Sequence, residues 1–239
     1  MRNYNLSWID QDLLYEVVRN VFSRTLQMRD NQMPLNPPDP FTVMAQCAIK
    51  NTSFTDCLAF DSIRAFNKTL SNSIGNFHQK ILSLSKNWKD LGTNGGGLDL
   101  MTLEGYLHPW FDKPVVVEVK NRFNTIKASD EKNVWDKLNE AAKLMKARAY
   151  LFQITPKEPV RYNRPWCPSG RSESNRVWCC DGVTAYEMVF GHATALQELY
   201  LALPHILRDI KIELGIHEQT NCIPSDNDAL KLFYYVFPH

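Results

Sequence analysis

Residues 115–121 read Val115-Val116-Val117-Glu118-Val119-Lys120-Asn121, and a shorter apolar segment, Leu98-Asp99-Leu100, precedes them. The run of β-branched residues predicts a buried strand that ends in a Glu-x-Lys triplet. Burying charges at the end of a strand costs free energy unless they are paired or bind a ligand. On adjacent strands, Asp99 and Glu118 could share a hard divalent cation, with Lys120 beside a water that attacks phosphorus. This pattern favours the core of a metal-dependent phosphodiesterase.

The chain as a whole has the composition of a folded globular protein. Its 239 residues suit one large domain, or one domain with an added recognition lobe. Hydrophobic residues make up 44% and charged residues 22%, a balance that argues against disorder. No apolar run is long enough to span a bilayer, and the first residues lack the hydrophobic segment of a signal peptide. We therefore expect a cytoplasmic protein without a membrane partner.

The net charge of +1 conceals an uneven distribution. Residues 113–176 carry a local charge of +7, and the remainder of the chain carries −6. A basic central half is compatible with a polyanion held in one groove, although solvated helix faces would give the same count. Charge alone leaves these two interpretations open.

Six cysteines in a chain without a secretion signal do not suggest disulfides. Cys167, Cys179 and Cys180 lie near two tryptophans and invite comparison with a zinc site. The Cys-x-x-Cys pairs of zinc ribbons are absent, and a vicinal pair binds a tetrahedral ion poorly. Free thiols in a packed region are therefore the favoured interpretation over zinc.

Periodicity predicts an α/β fold with a mixed sheet flanked by helices. Helices are expected at residues 10–28, 40–50, 61–84 and 129–146, and again after His192. Asp39 should cap the second helix, which opens with Pro40, and Ser129 should cap the fourth. Strands are expected around Asp99, at 115–120, at 149–154 and as a closing strand at 230–237.

The chain divides into four parts of one domain, 1–239. We expect a helical N-terminal part at 1–60, a catalytic core at 61–155, a loop-rich recognition excursion at 156–190, and a C-terminal helix and strand at 191–239. The excursion is rich in Pro, Arg, Trp and Cys and has little periodicity, and loops of this length are usually functional or mobile.

Phosphodiester hydrolysis needs an in-line water and charge neutralisation on phosphorus. Asp99 and Glu118 are the candidate carboxylates for Mg²⁺, and the backbone carbonyl of Val119 should point into the same space. Lys120 lies on the same strand face as Glu118, because strand side chains alternate, so it could orient the water. Taken alone, a Glu-x-Lys triplet is also typical of a structural ion pair.

Two helical residues are further candidates for catalysis. His78 lies on the shoulder of the apolar stripe of its helix and could face the metal site, although a helical His is more often a hydrogen-bonded core residue. Gln79 lies farther round the helix and points inward only if the helix packs at an angle.

DNA contacts are expected from two regions. Four arginines of the excursion suit base contacts, since Arg bonds guanine in a bidentate manner. Polar residues after the catalytic strand suit phosphate contacts. The full set is Arg161, Arg164, Arg171 and Arg176, with Asn121, Asn124, Lys127, Ser129, Lys132 and Asn133. Trp166 and Trp178 could stack on bases, but tryptophans in loops more often anchor the loop.

Several blocks resemble a known family in the right order. Asp99 with Glu118-Val119-Lys120 looks like the PD-(D/E)xK nuclease motif. The helix segment 71–80, the blocks 97–100 and 118–125, and Asp181-Gly182-Val183-Thr184-Ala185-Tyr186 resemble the type II restriction endonucleases that cut GGNCC and GGWCC sites. Together the blocks extend from about residue 39 to about residue 207. Their combination is far more specific than the triplet alone.

The resemblance implies a restriction-endonuclease-like core and Mg²⁺-dependent cleavage of double-stranded DNA at a short interrupted palindrome. It implies 5′-phosphate ends and a homodimer whose two-fold axis matches the site. Asp99, Glu118 and Lys120 carry over as catalytic, and His78 and Gln79 match the helix block. The alternatives are a structure-selective repair or recombination nuclease and a non-catalytic DNA-binding module that retains the fold.

Overall fold

A computed structural model describes residues 2–28, 37–92, 96–216 and 223–238. Seven helices lie in these ranges: α1 (Gln11–Met28), α2 (Pro40–Lys50), α3 (Phe54–Leu82), α4 (Glu131–Leu144), α5 (Gly182–Phe190), α6 (Ala195–Glu213) and α7 (Asp226–Val236). The same ranges contain six strands: β1 (Trp88–Asp90), β2 (Leu100–Thr102), β3 (Val115–Arg122), β4 (Arg148–Thr155), β5 (Asn163–Pro165) and β6 (Val177–Asp181).

The strands form one mixed sheet in the order β1-β2-β3-β4-β6-β5. The central strands β3, β4 and β6 run parallel, and β1, β2 and β5 are antiparallel to their neighbours. Parallel strands need a crossover, which α4 supplies between β3 and β4. The predicted α/β fold with a mixed sheet flanked by helices is confirmed, and the carboxyl ends of the parallel strands meet at one edge.

The two faces of β3 enter different hydrophobic clusters. Val115, Val117 and Val119 pack with residues of α1, α3, α5 and α6. Val116 packs on the other face with Trp135 and other residues of α4. The valine run is apolar on both faces because helices cover both sides of the sheet, as parallel strands require.

The N-terminal helices begin at side-chain caps. The carboxylate of Asp39 accepts a hydrogen bond from the Phe41 N–H, as the sequence predicts for α2. The next helix, α3, begins at Phe54 and not at residue 61, because Ser53 caps it by accepting from the Asp56 N–H. The helix is therefore 29 residues long, and its first part forms a hairpin with α2.

Two local predictions are wrong. The closing strand predicted at 230–237 is helix α7, in which Ser225 accepts from the Asp228 N–H and Phe233 is buried. The spacing of Phe233 and Phe237 is helical, and that period overrides the β preference of the aromatic residues. Ser129 does not cap α4, which begins after Asp130.

The region predicted as a loop excursion contributes to the sheet. Within it, Val177–Asp181 forms β6, which lies between β4 and β5. Cys179 and Cys180 are adjacent in β6 and are buried in different clusters on its two faces. None of the helices in the described ranges is long and apolar enough to cross a membrane.

Candidate active site

Asp99 stands directly beside β3, at the start of β2. Its N–H donates to the Val117 carbonyl at 2.9 Å, which extends the pairing of Leu100 with Val117. Its carboxylate accepts from the Val119 N–H at 2.6 Å. Two hydrogen bonds to β3 therefore hold Asp99 next to Glu118, and the carboxylates predicted from the sequence are brought together.

Glu118 is bound by two lysines. Nζ of Lys120 donates to Oε1 at 2.6 Å, and Nζ of Lys137 donates to Oε2 at 3.0 Å. The Glu118 side chain is only 7% exposed, so both charge-assisted bonds lie in a poorly solvated place. Both lysines are partly buried, and the site has one carboxylate flanked by two cations.

The environment of Asp99 suits a divalent cation. Burial and the nearby charge of Glu118 raise the pKa of Asp99 to about 6, against the opposing effect of the Val119 N–H and the two lysines. A cation bound at these carboxylates would offset the part of this shift that the Glu118 charge contributes. Oxygen donors of this kind fit a hard ion.

The backbone adds one oxygen ligand to the two carboxylates. The N–H and C=O of one strand residue point to the same side, so the Val119 carbonyl lies on the side of Asp99. The described part of the chain contains no group of three or more His, Cys, Asp or Glu side chains that could hold a metal. Two carboxylates and one carbonyl leave room for several waters, as Mg²⁺ prefers.

Lys137 is the residue that sequence reasoning missed. It lies on α4 beside the buried Leu138, and its ammonium group also donates to the carbonyl of Gly97. It therefore links Glu118 to the turn that leads into Asp99. The signal in the sequence is slight, because a lysine on the flank of an amphipathic helix is usually solvated.

We expect the substitution Lys137→Met to strengthen binding of Ca²⁺, a non-reactive substitute for Mg²⁺, by at least about tenfold. An ammonium group and a divalent ion that both bind Glu118 would repel each other, and at an effective dielectric constant of about 20 this opposes metal binding by roughly several kcal/mol. Calorimetric titration with Ca²⁺ measures the affinity. The matched control is Lys143→Met, an exposed lysine on the same helix. Unchanged or weaker binding would mean that Lys137 chiefly orders Glu118.

The two helical candidates lie in different places. His78 is buried, and its Nδ1 lies 2.9 Å from the hydroxyl of Tyr186. Burial lowers the pKa of His78 to about 3, so the ring is neutral. It packs in the core and does not face the carboxylates, so its catalytic role stays a prediction that this position does not favour.

Gln79 lies closer to the carboxylates. It lines a cleft of about 700 Å³ together with Asp99 and Gly97. Its amide donates to Asp90 at 2.8 Å, and Lys80 contacts the same carboxylate. Of the two helical candidates, Gln79 is the one that the fold brings to the site, although its catalytic role is also still a prediction.

The residues predicted to contact phosphate lie around the carboxyl end of β3. Asn121 is half-buried within the strand, and the others are exposed in the connection to α4 or in its first turn: Asn124, Lys127, Ser129, Lys132 and Asn133. The fold thus places them at the same edge as Lys120. Their contact with DNA remains a prediction.

The four arginines do not form one surface. Arg161 pairs with Glu187 at 2.6 Å, and Arg164 lies over the ring of Tyr162; both line a cavity of about 720 Å³. Arg171 binds Asp136 of α4 through two of its nitrogens.

Arg176 immediately precedes β6 and is exposed. It therefore lies at the amino end of that strand, opposite the edge of Lys120. Arg161 and Arg164 line their cavity together with Phe123, the residue that follows β3, so they lie towards the catalytic edge, whereas Arg176 is distant from it.

Gln153 is a second residue that the sequence did not single out. It pairs in register with Lys120 across the parallel strands, and it lines the same cavity as the two arginines. The Tyr162 hydroxyl donates to its side chain at 2.8 Å. Its position at the end of the predicted third strand was the available signal, because carboxyl ends of parallel strands meet.

The model of the Eco47II restriction endonuclease family matches residues 6–211, which include every element from α1 to α5 and nearly all of α6. The chain belongs to this family. It is 30% identical over 242 aligned positions to the type II restriction enzyme Eco47II of Escherichia coli, with 95% of this chain and 97% of the relative covered. It is 25% identical over 225 positions to the type II restriction enzyme Sau96I of Staphylococcus aureus, with 87% and 82% covered.

The predicted resemblance to type II restriction endonucleases is therefore confirmed. This Eco47II-family member is a hydrolase that cuts DNA at defined sequences, as part of a restriction system. Type II restriction enzymes generally use divalent metal ions, which agrees with the oxygen donors around Asp99.

Proposed function

We propose that this Eco47II-family endonuclease cuts both strands of DNA at a GGNCC-like interrupted palindrome and leaves 5′-phosphate ends. The observation that carries the proposal is the convergence of Asp99, Glu118 and Lys120 at one sheet edge, beside a set of exposed polar and basic residues. We further propose that it uses Mg²⁺ and acts as a homodimer. The cytoplasmic location expected from the sequence stays a prediction.

Asp99, Glu118 and the Val119 carbonyl would hold the metal ion. When bound, Mg²⁺ supplies charge neutralisation on the phosphate and a more acidic water. The hydrogen bond from the Val119 N–H fixes one oxygen of Asp99, which leaves the other for the ion. Lys120 and Lys137 hold Glu118 from two sides, and each ammonium group would compete with the ion for its carboxylate oxygens.

Lys120 would act on the attacking water. Its ammonium group lies on the same strand face as Glu118 and is partly exposed towards solvent. It can orient the water in line with the bond to the 3′-oxygen and stabilise charge that develops on the phosphoryl oxygens. Breaking that bond leaves the phosphate on the 5′ side, as the proposal requires.

The segment from Asn121 to Asn133 would hold the backbone of the DNA. It runs from the end of β3 into the first turn of α4, so a phosphate bound there would lie next to Lys120. The positive end of the α4 helix dipole adds to the attraction of an anion. Two identical subunits would each read one half of a palindromic site, so one such DNA-binding segment per subunit is enough.

The test is to digest a plasmid of known sequence with Mg²⁺ and to sequence the ends of the products. We expect discrete fragments whose ends all fall within GGNCC-like sites and carry 5′-phosphates. A smear, or nicking confined to branched or damaged DNA, would indicate a structure-selective nuclease and would contradict the proposal. Fragments with ends at an unrelated sequence would refute the proposed site alone.

A further inference from the structure

Gln153 lies beside Lys120 at the carboxyl edge of the sheet. The two residues are in register on the parallel strands β3 and β4. Leu151 of β4 packs in the same cluster as Val116 of β3, on the face that α4 covers. Because side chains alternate along a strand, Gln153 and Lys120 both point to that face. Neighbouring strands are about 4.8 Å apart, so the amide of Gln153 lies next to the lysine side chain.

Tyr162 fixes the orientation of this amide. Its hydroxyl donates to Oε1 of Gln153 at 2.8 Å. Burial raises the pKa of Tyr162, so the hydroxyl keeps its proton and remains a donor. The backbone N–H of Tyr162 donates in turn to the buried carboxylate of Asp181 at 2.9 Å. The oxygen of Gln153 is therefore turned towards β5, and its nitrogen is turned away from that strand.

The amide nitrogen faces the strand that carries Lys120. Nε2 of Gln153 lies 3.4 Å from the carbonyl oxygen of Phe123, the residue that follows β3. This bond is longer than is usual for an N–H donor, and it occupies only one of the two N–H groups. Among the residues that the structure describes, no other acceptor contacts this nitrogen. At least one amide N–H is thus available beside the Lys120 ammonium group.

The cavity next to Gln153 attracts anions. Its lining within the described ranges includes three basic side chains and one acidic side chain: Lys157, Arg161, Arg164 and Glu158. Arg161 is neutralised by Glu187, whereas Lys157 and Arg164 have no ion-pair partner in the part of the chain that the structure describes. The phosphate groups of DNA are the anions that the substrate of this enzyme brings to the sheet edge.

We propose that the Gln153 amide donates a hydrogen bond to the phosphate that is cleaved, and that Tyr162 is the residue that positions it. The inference rests on the site proposed around Glu118 and Lys120 and adds one catalytic residue to it. Lys120 supplies a positive charge to the phosphoryl group, and Gln153 supplies a neutral donor from the next strand. A donor that is already oriented costs no reorganisation when negative charge develops on the phosphoryl oxygens.

The bond to Tyr162 favours a phosphate over a base as the acceptor. A glutamine that reads adenine uses its oxygen and its nitrogen together. In this protein the oxygen already accepts from the Tyr162 hydroxyl, and only the nitrogen side is left for DNA. A single donor suits a phosphoryl oxygen, which accepts in the same way whatever the sequence of the DNA.

The test compares Gln153→Met and Gln153→Glu in single-turnover cleavage of a short duplex, with the enzyme in excess. Methionine keeps the length of the side chain without a donor, whereas glutamate keeps an oxygen for Tyr162 and loses the N–H groups. We expect both variants to cleave about 100-fold more slowly than the wild type, as when one oriented donor is removed. The control is Gln46→Met on α2, a helix that packs on α3; it should cleave at the wild-type rate.

Two further measurements separate catalysis from folding and from DNA binding. The melting temperature of Gln153→Met should stay within a few degrees of the wild-type value, since one hydrogen bond is lost. Its affinity for the duplex in Ca²⁺, measured by gel shift, should fall less than about fivefold, because the donor acts mainly on charge that develops during the reaction. An affinity loss as large as the rate loss would overturn the catalytic role.

Tyr162→Phe tests the positioning role. The change removes only the hydroxyl, and we expect cleavage to slow by about tenfold. In a chain that already carries Gln153→Met it should have no further effect, because the amide that it positions is gone. Losses that multiply in the double variant would show that Tyr162 acts independently of Gln153 and would overturn this part of the proposal.

Other outcomes also decide against the proposal. Wild-type cleavage by Gln153→Glu would show that Gln153 only accepts from Tyr162. A loss confined to the discrimination between cognate and single-mismatch duplexes would identify a base contact in place of the phosphate. Full activity of Gln153→Met beside an inactive Glu118→Gln would remove Gln153 alone, whereas full activity of Glu118→Gln would remove the whole site on which the inference rests.

Discussion

A chain carrying Glu118→Gln is expected to bind its DNA and to cleave it at least about 1000-fold more slowly than the wild type. The change removes one of two carboxylates that would hold the metal ion, and such an ion contributes several kcal/mol of transition-state stabilisation. The amide keeps the shape of Glu118 and can still accept from Lys120, so the fold should persist. Single-turnover cleavage of a short duplex measures the rate.

The matched control is Glu140→Gln, which removes an equal charge from an exposed position on α4. It should cleave at the wild-type rate. Asp99→Asn should lose as much activity as Glu118→Gln, since Asp99 is the second carboxylate. Binding in Ca²⁺, measured by gel shift, should survive in both variants. Near wild-type cleavage by either one would remove that carboxylate from the catalytic assignment.

The centre of the fold could be predicted because its signals are local. The valine run allows only a strand covered on both faces, and a strand side chain two positions beyond Glu118 must lie on the same face. The proximity of Asp99 to Glu118 then follows once β2 pairs with β3. The cap at Asp39 is equally local, because one carboxylate and the following Pro40 determine where α2 begins.

Other features depend on contacts between distant segments. Lys137 approaches Glu118 only because α4 crosses the sheet above β3, and a helical stripe does not reveal that crossing. Val177–Asp181 has too few residues to show a period, and its place in the sheet depends on pairing with β4. His78 lies on a predicted apolar shoulder, but its hydroxyl partner, Tyr186, is 108 residues away.

A second large effect is expected at Gly182, where Gly182→Ala should lower the free energy of unfolding by about 3 kcal/mol or more. Gly182 follows β6 immediately and opens α5. An added Cβ would lie 2.9 Å from the carbonyl carbon of Ile154 and 3.0 Å from its Cα, and closer still to its carbonyl oxygen. All three atoms are backbone of β4, so no side-chain rotation can relieve the clash.

The surroundings of Gly182 prevent the helix from moving away. Asp181 accepts hydrogen bonds from the N–H of Thr184 at 3.1 Å and from its hydroxyl at 2.7 Å, and it also accepts from the Tyr162 N–H. These bonds fix the start of α5 against the end of β6. An alanine must therefore separate α5 from β4 or break the cap, and both cost free energy.

Gly75→Ala is the matched control, because it makes the same change with the opposite expected sign. A Cβ at Gly75 meets no heavy atom within 4 Å of it beyond the backbone of its own helix, and alanine favours a helix interior over glycine by about 1 kcal/mol. Urea unfolding of the two variants and the wild type measures both effects. Equal stability of Gly182→Ala and the wild type would mean that β4 and α5 are farther apart than the structure places them. Since β4 carries Gln153 beside Lys120, the loss of this packing should also reduce cleavage at temperatures where the variant still folds.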